Sequence, residues 1–89
     1  MLKVFKYDLP IDNYSEISMP KDSQILSIQT QKENPVIWAL VDPSAKMITR
    51  KFRFAGTGHP ILHDKQELYH HGSFQMACGA LVFHVFEVM

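Results

Sequence analysis

Apolar and polar residues alternate with a period of two along much of this chain, and turn-forming residues break the alternation at strand-length intervals. The clearest stretch is Met47–Phe54. Ile48, Arg50, Phe52 and Phe54 occupy one parity, and Met47, Thr49, Lys51 and Arg53 the other. That period sends successive side chains to opposite faces of an extended strand. Ser15–Met19 repeats it on a smaller scale, with Ile17 and Met19 on one face and Glu16 and Ser18 on the other. Leu2–Leu9, Gln24–Gln31 and Leu68–Met76 read as further strands, the last bent at Gly72. Val36–Val41 is apolar at both parities and predicts a central strand covered on both faces. Ala80–Val88 is a second such run, interrupted by His84. The core expected from these patterns is Ile37, Trp38, Leu40, Phe52, Phe54, Leu81, Phe83 and Val85.

The breaks carry turn chemistry: Pro10 with Asp12-Asn13, Pro20-Lys21-Asp22, Lys32-Glu33-Asn34-Pro35, Asp42-Pro43-Ser44-Ala45 and Gly56-Thr57-Gly58-His59-Pro60. Helical periodicity is confined to Ile61–His71, with room for one turn. Short strands at this spacing predict an all-β fold: a compact antiparallel sandwich or barrel of six or seven short strands, with at most one short helix. The 89 residues form one domain, 1–89. Two long apolar strands in so small a domain also predict a homo-oligomer.

Composition narrows the classes of function. Lys plus Arg is 9 and Asp plus Glu is 9, for a formal net charge of zero. Overall neutrality argues against nucleic-acid binding, which calls for a basic footprint. No apolar run approaches a membrane span, and the charged first residues do not resemble a signal peptide. The one cysteine, Cys78, cannot form an internal disulfide and fits a reducing compartment. It sits in an apolar turn and reads as a small buried hydrophobe.

Four of the nine cations, Lys46, Arg50, Lys51 and Arg53, fall within eight positions, and Gly56-Thr57-Gly58-His59 follows directly. A glycine-rich turn can aim backbone amides at one point and so bind an anion. Thr57 adds a hydroxyl, and His59 adds a ring donor whose charge depends on pH. Arg50, Arg53, Gly56, Thr57, Gly58 and His59 are therefore the candidate anion-binding residues. The plainer reading is a solvated strand face followed by a tight turn, and the spacing is not that of a P-loop. Arg50 shares its face with apolar residues, so it needs an anionic partner, either a ligand or a protein carboxylate such as Asp42. His63, Glu67 and His70 or His71 would share one face only if helical, which leaves surface histidines as the better reading and no metal site expected. Trp38 serves as a stacking platform only if exposed. Cys78 with His84 lacks an activating charge, and no catalytic set is expected. His84 reads as a hydrogen-bonded residue on a half-covered face or at an oligomer contact. No cofactor is implied.

The succession Val4-Phe5-Lys6-Tyr7, Met19-Pro20, Ile25–Gln29, Trp38-Ala39-Leu40-Val41-Asp42-Pro43, Gly56-Thr57-Gly58-His59-Pro60 and Phe83-His84-Val85-Phe86-Glu87 resembles a family of small bacteriophage and prophage proteins of unknown function. The resemblance runs over nearly the whole chain. It implies a viral origin and a location in the host bacterial cytoplasm, and it supplies no catalytic residues. The expected function is that of a non-enzymatic binding protein. It would interfere with a host process or an antiviral defence by binding a host protein or by sequestering a small anionic molecule. The alternatives are a minor virion structural or assembly component and a small hydrolase-type enzyme that uses His59.

Overall fold

The computed structural model describes residues 1–89. It contains β1 (Lys3–Asp8), β2 (Tyr14–Pro20), β3 (Gln24–Gln31), β4 (Asn34–Val41), β5 (Met47–Gly56), β6 (Leu68–Met76) and β7 (Leu81–Val88). Single 3₁₀ turns at Lys65–Glu67 and Ala77–Gly79 are the only helical elements. The strands form two antiparallel sheets. Sheet A has the order β1-β4-β3, and sheet B has the order β2-β5-β7-β6. Edge strands β3 and β6 lie against each other, closing one side of the sandwich. The fold is all-β, as the alternation predicts.

Between the sheets lie Leu9, Ile17, Met19, Ile28, Ile37, Ala39, Val41, Phe52, Phe54, Phe74 and Val85. The register explains the choice. Val85 stands opposite Phe54 and Glu87 opposite Phe52, so one parity of β5 and β7 fills the interior. Ile37, Phe52, Phe54 and Val85 are buried as expected. Four other expected core residues are not. Trp38, Leu40 and Phe83 are only half-buried, and Leu81, next to the Ala77–Gly79 turn, is 50% exposed. Strand β4 is central in sheet A, but no layer covers that sheet's outer face. Its second apolar parity, including Trp38 and Leu40, is therefore left at the surface.

The β3–β4 hairpin also differs from the sequence reading. Asn34 and Pro35 begin the strand, and the turn itself is Lys32-Glu33, with φ of 51° and 65°. Two positive φ values make a turn whose twist matches the flanking strands. Neither residue favours that region. Glu33 Oε2 accepts a hydrogen bond from the Ala77 amide (3.3 Å), tying the hairpin to another left-handed pair, Ala77-Cys78. Cys78 is exposed there rather than buried, because the left-handed turn lifts it off the sheet. Lys32→Gly removes the strain at a position whose side chain makes no hydrogen bond. It is expected to raise stability by about 1 kcal/mol in urea unfolding, and a destabilised variant would refute the strain argument.

Candidate functional site

The segment after β5 folds back over the outer face of sheet B. His59 N donates to Gly56 O (3.0 Å) and Thr57 N to Val82 O (3.2 Å), which closes the turn. A Cβ at Gly56 would come within 2.8 Å of the His59 ring, so glycine there lets the imidazole rest on the backbone. Gly58 has φ +87°, the left-handed region open to glycine. Further along, Tyr14 Oη and His63 Nε2 lie 2.6 Å apart. The Tyr14 ring lies beneath Lys51 Nζ (4.6 Å) and the Arg53 guanidinium (5.3 Å). Asp64 opens the Lys65–Glu67 turn with a reciprocal cap, its amide donating to Glu67 Oε1 (2.8 Å).

This folding-back creates a cleft of about 560 Å³ between the Ile11–Asn13 segment, the end of β5 and the turn, and Phe83 also lines it. Arg53, Gly56 and His59 meet there with Phe54 and Pro60. The Arg53 guanidinium donates only to backbone carbonyls: Phe54 O, Pro60 O (3.2 Å) and, at the limit, Asn13 O (3.5 Å). Its Nε is buried without a partner. No carboxylate pairs with this cation. Asp12 also lines the cleft, where its Oδ1 accepts the Asn13 amide (2.7 Å).

Half of the predicted anion set is brought together, and half is not. The Thr57 hydroxyl is taken up in a hydrogen bond with His84 Nε2 (2.8 Å), and Gly58 does not line the cleft. The Thr57 amide is consumed by Val82 O on β7 and the His59 amide by Gly56 O within the turn. The cleft therefore offers a cation and an imidazole rather than a nest of amides. Arg50 lies on the opposite face of β5, since strand side chains alternate. Its Nε and Nη2 donate to Glu87 Oε2 and Oε1, both at 2.7 Å, and its Nη1 donates to Ser23 O (2.6 Å). The protein carboxylate it needs is thus Glu87, on the neighbouring strand β7, rather than Asp42. Asp42 is held below the usual carboxylate range by Ser44, whose hydroxyl and amide both donate to it.

His71 completes the second cluster, donating from Nε2 to Glu87 Oε1 (2.8 Å). Burial opposes ionisation of Glu87. The hydrogen bonds and charges of Arg50 and His71 outweigh it, and the carboxyl titrates below its usual range. The same bonds raise Arg50. Sequence reasoning missed Glu87, although a signal was present. It is the lone acid in an apolar strand, on the parity of Phe83 and Val85, and Arg50 is the matching lone cation on the inner parity of β5.

The remaining histidines divide between faces. The β-bulge at His70–Gly72 turns His71 inward to Glu87, while His70 lies on Phe86 (5.2 Å) on the outer side. His63 is 3.9 Å from Glu67. These imidazoles do not converge on one point. His84 is half-covered, with Ser73 Oγ at Nδ1 (2.7 Å) and Thr57 Oγ1 at Nε2 (2.8 Å). It staples the turn to β6. No carboxylate orients that imidazole, so the arrangement lacks the third member of a nucleophilic triad.

The family model described as "Domain of unknown function (DUF7352)" matches residues 1–89, and the chain belongs to that family. No curated protein and no solved structure matches it.

Proposed function

We propose that this member of the family is a non-enzymatic binding protein that holds a small anionic ligand in the Arg53–His59 cleft. One observation carries the reading: a guanidinium without a carboxylate partner stands at the wall of a ligand-sized cleft. Ligand pockets pair apolar walls with a few convergent polar groups, and here Phe54, Phe83 and Pro60 meet Arg53 and His59. A cation without a direct ion-pair partner in a concave site raises the local anion concentration. Arg50 and Thr57 have no part in this version, because Glu87 and His84 occupy them. The resemblance to phage and prophage proteins supports placing the ligand in a bacterial host, where removing it would interfere with a host process or an antiviral defence.

The protein-binding version rests on a separate observation. Val4, Leu26, Trp38 and Leu40 leave apolar surface on the outer side of sheet A. The two versions separate by mutation. Nuclear magnetic resonance titration with inorganic phosphate, pyrophosphate and dicarboxylates should shift the Gly56 and His59 amides. Arg53→Ala and His59→Ala should each weaken that binding by about 1–3 kcal/mol, roughly 5- to 150-fold. A panel that moves no amide in the cleft, or affinities unchanged in both variants, rejects the ligand reading.

A further inference from the structure

Strand β1 is an edge strand of sheet A. Leu9 N donates to Pro35 O (3.0 Å) one step beyond the Asp8–Val36 pair. Narrow pairs alternate along an antiparallel ladder, so the odd residues of β1 turn their amides and carbonyls to β4. Those of Val4, Lys6 and Asp8 face away, along the open edge. An open edge is a template for another strand, and proteins commonly block it with projecting lysines. Here Lys6 does not project. It lies back across sheet A, its Nζ donating to Gln31 Oε1 (3.0 Å) over the Trp38 ring (6.0 Å). Beside it, Phe5 lies on the inner face with Ala39 yet is 36% exposed, and Val4 is 57% exposed.

We propose that two copies of this chain pair antiparallel through their β1 edges, about a two-fold axis at Phe5, into one continuous six-stranded sheet. Directly opposed residues of an antiparallel pair share a face, so a two-fold axis normal to the sheet must pass through a residue position. An axis at Lys6 sets ammonium against ammonium, which is destabilising. An axis at Val4 leaves Asp8 unpaired. The axis at Phe5 uses the whole strand. Val4 exchanges hydrogen bonds with the partner's Lys6, and Phe5 meets the partner's Phe5 in a close pair. Lys3 then stands opposite the partner's Tyr7, a cation against an aromatic face. The chain's zero net charge leaves little long-range repulsion between copies. The inference is independent of the ligand cleft, which lies on the other sheet.

The test uses sedimentation of the full chain at micromolar concentration, with two variants. Wild type should sediment at twice 10.3 kDa. In Val4→Pro the amide lost is one that faces the open edge, so the monomer keeps its ladder. That variant should sediment at 10.3 kDa with an unchanged circular dichroism spectrum. Phe5→Cys in a Cys78→Ser background should form an intermolecular disulfide on mild oxidation, since a close antiparallel pair meets disulfide geometry. Thr49→Cys in the same background should not. A wild-type monomer throughout the range overturns the proposal. So does a dimer that survives Val4→Pro, or a dimer whose Phe5→Cys form does not cross-link.

Discussion

Glu87→Gln is expected to cost about 3 kcal/mol of folding stability, because it leaves the largely buried Arg50 guanidinium without its counter-charge. In the native protein the carboxylate accepts two bonds from Arg50 and one from His71, and both Arg50 and Glu87 are mostly shielded from water. Breaking one side of such a pair costs more than replacing both. Arg50→Met with Glu87→Leu should therefore lose less stability than Glu87→Gln alone. The cluster also sets a dependence on pH. Glu87 titrates lower in the folded state than in the unfolded chain. Its contribution is complete above the ordinary glutamate value of about 4.3 and is lost as pH falls through the folded value. Urea unfolding at a series of pH values should show wild type weakening on the acid side and Glu87→Gln weakening less. Parallel profiles would show that the pair does not couple protonation to folding.

The strand pattern was legible because β2 and β5 each keep one apolar parity, and a sheet with one buried face imposes that alternation. The same logic fails in β4. Both parities are apolar there, so the pattern cannot tell a face covered by a second layer from a face left open, and Trp38 and Leu40 were misplaced for that reason. The turn at Lys32–Pro35 was legible, but its restriction to Lys32-Glu33 was not, because that geometry comes from strand twist rather than from residues that favour positive φ. Of the cleft, Arg53, Gly56 and His59 were legible as clustered chemistry on consecutive elements. Asn13 and Phe83 were not, since sheet order brings them in and alternation carries no information about order. Arg50 illustrates the same limit. Its need for a partner follows from parity alone, but the partner's identity depends on β7 lying beside β5.

Phe52→Ala is expected to be the most damaging single truncation, at about 4 kcal/mol. The ring is fully buried in a strand with neighbours on both sides, opposite Ser15 on β2 and Glu87 on β7. It lies 5.9 Å from the His71 ring. Ladder hydrogen bonds on both sides keep the backbone from collapsing into the vacated space, so the cavity term adds to the lost transfer energy. A domain this small buries a modest fraction of its surface, which places its stability near the low end of the usual range of about 5–15 kcal/mol. The truncation therefore removes most of it. Phe52→Leu keeps most of the volume and should cost about 1–1.5 kcal/mol. Urea unfolding at neutral pH, read by the single tryptophan Trp38, gives both numbers by linear extrapolation. A loss below about 1 kcal/mol for Phe52→Ala, well under the range for buried phenylalanine, would mean that the interior packs on residues other than those between these two sheets.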